Sequence, residues 1–177
     1  SLKKNTTISD AENLGAKFYD IFKDNKINDY ILNTDTLFNN FKNIAGHFLH
    51  GFKLKSYNFD KYKTKKNKRS ITITAIGKNI PNSQQLIKFK AIEEGSYYTR
   101  DLVSEPGNVL HPDEYAKRIN SLKKIGLKIN IYDERKLKKL GMNALLGVGQ
   151  GSIRGSYLVT MEWSGAKNNS APLAFIG

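Results

Sequence analysis

HPDEYAKRINSLKKIGLKINIYDERKLKKLG, residues 111–141, decides the fold class. Pro112 suits the first turn of a helix, where a missing N–H costs nothing, and Tyr115, Ile119 and Leu122 recur on one side of it. Gly126 is the natural stop for that helix. Residues 127–132 then alternate as a strand, and DERKLKKLG reads as a short charged helix ending at Gly141. Helix, strand and helix within thirty residues predict an α/β chain with at least partly parallel sheets.

Working outward, the C-terminal side offers two further strand candidates, residues 157–163 and 173–176. On the N-terminal side, Ser9 with Glu12 matches a capping box before Leu14, Phe18, Ile21 and Phe22, predicting a helix over 9–24. Residues 27–33 (INDYILN) read as a strand. Thr34 or Asp35 could cap a longer helix, because Leu37, Phe38, Phe41, Ile44, Ala45, Phe48, Leu49 and Phe52 share one broad face. ITITAIG, residues 71–77, alternates as a half-buried strand, and Pro81 and Asn82 mark a turn. A helix from about Ser83 past Arg100 follows, with Leu86, Phe89, Ile92 and Tyr97 among its apolar positions, ended by Glu105, Pro106 and Gly107. No internal repeat is visible.

The 177 residues are 39% hydrophobic and 25% charged with only 4 Pro, which excludes membrane-spanning, collagenous and disordered classes. A chain of this size buries about 70% of its unfolded surface and needs no disulfide or structural metal. It has no Cys, and SLKKNTTISDAE lacks the apolar run of a secretory signal, so a cytoplasmic location is expected. The net charge of +13 invites a nucleic-acid reading, yet 24 of the 29 basic residues are Lys and only five are Arg. Arg would dominate a base-reading surface, so a solvated basic face is favoured.

Few residues suggest chemistry. His47 and His50 stand three apart on a helix without the HExxH pattern or a third ligand, so they read as ordinary histidines rather than metal ligands. His111 fits a capping or loop role. GVGQGS, residues 147–152, resembles a phosphate-cradling loop, but Ser152 stands where a dinucleotide fingerprint needs its third glycine. Close packing and sharp turns are therefore favoured. Residues 53–69, KLKSYNFDKYKTKKNKR, carry eight basic groups against one Asp and interleave Tyr57, Phe59 and Tyr62, as a groove for single strands would. Aromatics packing inward while lysines reach outward look the same in one dimension. The adjacent acids Glu93 and Glu94, or Asp113 and Glu114, point in different directions on a helix and make no metal clamp. No nucleophile triad and no intact active site is found.

TRDLVSEPGNVLHPDEYA (99–116), LGMNALLGVGQGS (140–152), YLVTMEW (157–163), APLAFIG (171–177) and SYNFDKYKTKK (56–66) together resemble the leucine aminopeptidase family, the cytosolic two-metal exopeptidases. Five pieces in the family's order over about 120 residues make chance similarity implausible. In the family, APLAFIG runs directly into KGxxFD[ST]GG, and further carboxylate ligands and an Arg follow in NTDAEGR. The resemblance is therefore to an internal segment of a longer enzyme. It implies an incomplete N-terminal mixed-sheet, macro-like domain over 1–82, a connecting helix over 83–102, and the opening of the catalytic α/β domain over 103–177.

For the whole enzyme the resemblance implies release of N-terminal amino acids, leucine-type, from peptides by a cytoplasmic homohexamer with two Zn²⁺ or Mn²⁺ ions. Such ions polarise the scissile carbonyl and generate hydroxide, and several convergent carboxylates must hold them. This chain offers no such cluster: no catalytic or metal residue is expected in it, no cofactor, and no activity of its own. Two alternatives stand beside that reading. One is a nucleic-acid-binding module, possible DNA being met by Lys63, Lys65, Lys66, Lys68 and Arg69; the other is a catalytically dead assembly or regulatory subunit. No membrane partner is expected. Open sheet edges predict self-association or marginal stability of the segment.

Overall fold

The computed structural model describes residues 7–37, 43–65, 70–165 and 171–177. The chain divides into two compact units, Ser1–Ser104 and Glu105–Gly177.

In the N-terminal unit, α1 (Ile8–Phe22) opens on a capping box made by Thr7 and Asp10. The Thr7 hydroxyl accepts from the Asp10 N–H, and the Asp10 carboxylate accepts from the Thr7 N–H at 2.9 Å. This corrects the expected Ser9 and Glu12 pair. Both lie inside the helix, because the extended backbone that a cap requires falls at Thr7. The strand β1 (Asp29–Asn33) follows, then a 3₁₀ turn, Thr34–Thr36.

The single long helix expected from Thr34 or Asp35 does not form. The helix α2 (Ile44–Lys55) begins beyond Asn43, which takes the left-handed conformation. The would-be caps are used elsewhere. The Thr34 hydroxyl donates to the Ile76 carbonyl at 2.8 Å, and the Asp35 carboxylate accepts from the Lys78 N–H at 2.7 Å. Phe38 and Phe41 lie outside the described residues.

The strand β2 (Thr72–Ile76) pairs parallel to β1 in the register Asp29↔Thr72 to Asn33↔Ile76, so the expected partly parallel pairing is found here. Helices α1 and α2 supply most of the core. Phe18 touches Phe22, Tyr30, Phe48 and Phe52, and Ala11, Ala45, Phe48 and Phe52 are buried. At the crossing both helices present glycine. A Cβ on Gly15 would stand 1.9 Å from the Phe48 carbonyl oxygen, and one on Gly51 would stand 2.0 Å from that of Glu12. Backbone therefore meets backbone. The helix α3 (Ser83–Ser104) has no buried residue. Of its expected apolar positions, Phe89 and Tyr97 make ring contacts, whereas Leu86 and Ile92 are exposed.

In the C-terminal unit, α4 (Pro112–Ser121) starts with Pro112 in its first turn and passes into a 3₁₀ turn, Leu122–Ile125, closed by Gly126 at φ 97°. The strand β3 (Lys128–Tyr132) leads to α5 (Glu134–Lys139), capped by the Asp133 carboxylate on the Lys136 N–H. Gly141, at φ 71°, turns the chain. Helix α6 (Asn143–Gly149) was not expected, because its glycines read as turn formers; Gly147 lies inside it with open space around it.

The strand β4 (Leu158–Glu162) pairs antiparallel with β3, from Lys128↔Glu162 to Tyr132↔Leu158, so among the described residues parallel pairing is confined to the N-terminal sheet. Ala116, Ile119, Ile129 and Leu137 are this unit's buried apolar residues. The strand expected at 173–176 is absent. Residues 171–177 have no regular structure and stand exposed, because no described strand offers them a ladder. Among the described residues no helix is long and apolar enough to cross a membrane.

Candidate functional site

Three charged or aromatic clusters stand out among the described residues, and two of them hold the three histidines. The first surrounds α2. His47 shares a hydrogen bond of 2.8 Å with Glu12 of α1, and His50 shares one of 2.8 Å with Glu93 of α3. Both imidazoles touch the Phe89 ring, His47 edge-on and His50 stacked. Their i, i+3 spacing thus serves two different helices rather than one ligand. His50 is 6% exposed and its Nδ1 is held by a carboxylate, which orients the ring and keeps its polar edge satisfied. Of the adjacent acids, Glu93 turns to His50 while Glu94 turns to Lys90, as helical spacing requires.

The second cluster fastens the chain leaving α2 to α3. The Tyr57 hydroxyl donates to Asp101 at 2.8 Å, the Tyr57 ring lies 5.3 Å from Tyr97, and Arg100 lies over it. Partial desolvation, reinforced by the hydrogen bond to Asp101, pushes the Tyr57 phenol above its ordinary value. Tyr97 and Arg100 donate to the carbonyls of Lys53 and Leu54, the otherwise open end of α2. Tyr57 thus packs on protein instead of waiting for a base. Further along, Phe59 and Tyr62 pair at 5.8 Å with Lys61 over Tyr62. Lys63 and Lys65 are exposed; Lys66, Lys68 and Arg69 lie outside the described residues.

The third cluster is a clasp in the C-terminal unit. Arg118 of α4 donates to Glu105 at 2.8 Å and to Glu114 at 3.0 Å, with the Glu105 side chain only 2% exposed. The two carboxylates hold the guanidinium above its ordinary value, and the Arg118 hydrogen bond holds Glu114 below its own. Beside the clasp, His111 shares a hydrogen bond with Asp113, which also faces Arg154 at 3.7 Å. Asp113 is raised by partial desolvation, but its bonds to His111 and to its own backbone N–H, with the nearby positive charges, leave it lowered overall. The Glu114 and Arg118 pair, at i, i+4, was not singled out in the sequence although its spacing is one that a helical period marks. Glu105 carried no signal of its own.

The GVGQGS run forms no phosphate cradle. Gly147 and Gly149 belong to α6, and a Cβ on Gly149 would meet the Ser156 hydroxyl at 1.9 Å, so that glycine permits close packing. A shallow hollow of about 360 Å³ lies beside it, lined in part by Pro112, Leu145, Val148 and Arg154. Among the described residues no three His, Asp or Glu side chains converge as a metal site would require. Each carboxylate near an imidazole or guanidinium is already engaged, so the described donor set does not fit a pair of divalent ions.

What these clusters do is fix helices and turns, and the stretch they fix in the C-terminal unit has relatives. Residues 97–177 match the catalytic domain of the cytosol aminopeptidase family. Over 134 residues, 72% of the chain, the sequence is 42% identical to a probable cytosol aminopeptidase of Brucella melitensis, covering 28% of that protein. Over 138 residues, 73% of the chain, it is 44% identical to a probable cytosol aminopeptidase of Phytoplasma mali, again covering 28%.

The fold is similar to part of cytosol aminopeptidase from Coxiella burnetii, with a TM-score of 0.70 over 92% of this chain and 33% of that one at 19% identity. It also matches the bottromycin maturation enzyme BotP in complex with Mn, with a TM-score of 0.73 over 89% of this chain and 34% of that one at 21% identity. Fold and matched residues together define an aminopeptidase-type α/β framework. The chain belongs to the cytosol aminopeptidase family, and spans little more than a quarter of the length of the curated relatives it matches.

Proposed function

We propose that this chain is a framework segment of a peptidase that releases N-terminal amino acids, leucine foremost, from peptides. The parent works as a cytoplasmic homohexamer with two divalent ions, zinc or manganese. On this reading 1–82 and 103–177 belong to different domains of the parent, joined by the helix over 83–102. The 177 residues on their own are inert. The observation that carries the reading is the match of residues 97–177 to the family's catalytic domain. The engagement of His47, His50 and Glu105 in internal pairs supports a scaffold role.

A chimera tests it. Replacing the corresponding stretch of the Phytoplasma mali relative with this segment should give an enzyme that hydrolyses leucine p-nitroanilide with added Mn²⁺. The segment alone should show no turnover above buffer. A folded but inactive chimera, or a segment that turns over substrate by itself, would each overturn the proposal.

A second reading, contact with nucleic acid, is favoured by the exposure of Lys63 and Lys65 beside the Phe59 and Tyr62 rings. It requires affinity to fall steeply with salt, and each lysine neutralised among Lys63, Lys65, Lys66 and Lys68 should reduce that slope by about one. A flat salt response removes it.

A further inference from the structure

The seam between α2 and α3 borders a cleft of about 970 Å³ to which neither reading gives a role. A space of that volume takes a small organic molecule. Leu49 and Phe52 of α2 and Leu86 and Phe89 of α3 line it, each pair three residues apart, so each helix turns an apolar stripe toward it. These walls belong to the packing of α2 on α3 itself, since the Phe89 ring stacks on His50 at 4.9 Å. Phe52, Phe89 and Tyr97 make them largely aromatic, which favours a flat ring as occupant. The rim mixes Lys53 and Lys90 with Glu94 and Asp101, so no net charge selects an ion.

One polar atom in this setting has no task. His50 lines the cleft and is only 6% exposed. Its Nδ1 is bonded to Glu93 at 2.8 Å, and because a carboxylate only accepts, the hydrogen of that bond sits on Nδ1. The tautomer so fixed leaves Nε2 of the neutral ring as an acceptor. Among the described residues nothing donates to Nε2, yet it is not closed off from solvent. A lone pair that stays accessible on a residue nine-tenths buried opens where that residue meets the cleft. His47 makes the same kind of pair with Glu12 but does not line the cleft.

We propose that this cleft binds a small neutral phenol, its ring between the stripes of α2 and α3 and its hydroxyl donating to His50 Nε2. Glu93 is a positioning residue in this site: by holding the Nδ1 hydrogen it aims the lone pair. His50 and Glu93 both precede the stretch that matches the family's catalytic domain, so the site stands apart from the peptidase reading.

Phenol titrated into the 177-residue chain and followed by NMR tests this. It should move the ring resonances of His50 and leave those of His47 in place. Anisole, the same ring with a methyl ether in place of the donor, should bind about fivefold more weakly. His50→Asn keeps an N–H for Glu93 near the position of Nδ1 and removes Nε2, so the two ligands should then bind alike. Leu86→Trp, at an exposed residue of the wall, should weaken both. The chimera with the Phytoplasma mali relative should bind phenol with the same preference, a readout independent of its turnover. Phenol that leaves His50 unmoved, or that binds no better than anisole, overturns the proposal. These two measurements use the unsubstituted chain, so they decide even should His50→Asn not fold. Binding by the segment that the chimera lacks overturns it too, because other parts of the parent would then fill the cleft.

Discussion

In the N-terminal unit two helices cross with glycine against carbonyl on both sides, and a cluster of phenylalanines fills the space around the crossing. In the C-terminal unit a small aliphatic core is supplemented by one arginine gripping two carboxylates. The first arrangement depends on atoms being absent, the second on charges being present. Steric exclusion is short-ranged and indifferent to pH and salt, whereas the clasp answers to both. The two units should therefore fail under different provocations.

The largest expected effect is in the N-terminal unit. Alanine is ordinarily preferred to glycine inside a helix by about 1 kcal/mol. At Gly51 that preference loses, because the new methyl would stand 2.0 Å from the Glu12 carbonyl oxygen. Gly51→Ala should cost about 3 kcal/mol or more and unfold that unit in a thermal melt. Gly95→Ala in α3 and Gly147→Ala in α6, where nothing lies within 4 Å of the added atom, should each gain up to about 1 kcal/mol. A gain at Gly51 equal to those at Gly95 and Gly147 would show that the crossing is looser than its geometry.

Core truncation comes next. Phe52→Ala should cost about 3–5 kcal/mol and Leu137→Ala about 2–5 kcal/mol, read from urea midpoints. If the C-terminal unit leans on its clasp, Arg118→Ala should approach the Leu137 value at about 3 kcal/mol, since it strands the buried Glu105 carboxylate. Acid should act in the same place. The depressed Glu114 carboxyl contributes stability that is complete above the ordinary carboxylate range and is lost as pH falls through its lowered value. The C-terminal unit should thus loosen on acidification, and the Arg118→Ala protein should lose much of that dependence. A wild-type melt equally stable across the acid range would remove the clasp from the account.

The smallest effects belong to the helix starts. Thr7→Ala and Asp133→Ala each remove one capping acceptor and should cost about 1 kcal/mol, one in each unit.

Residues 112–141 were legible almost position by position, because Pro112, Gly126 and Gly141 act on their own backbone and the alternation of 127–132 needs no distant partner to be recognised. The family resemblance was legible for a similar reason: its motifs are contiguous. What escaped reading was non-local. Thr34 and Asp35 have the chemistry of caps, and only the position of β2 shows that their oxygens are committed to Ile76 and Lys78. Gly15 and Gly51 look like any other helical glycines until the opposing carbonyls are placed. Glu105 and Arg118 are thirteen residues apart, a spacing that no helical period marks. The expected strand at 173–176 has the right residues, but a strand is a property of two segments and the described fold supplies one.

Trp163 is the chain's one tryptophan, and its indole lies against Gly126, 3.2 Å from where a Cβ there would stand. Its emission is an optical label that the amino-acid sequence already contains, excitable apart from the nine tyrosines and confined to one half of the molecule. A fluorescence trace that moves at a different temperature from the far-ultraviolet signal would separate the halves without any dye, tag or cut.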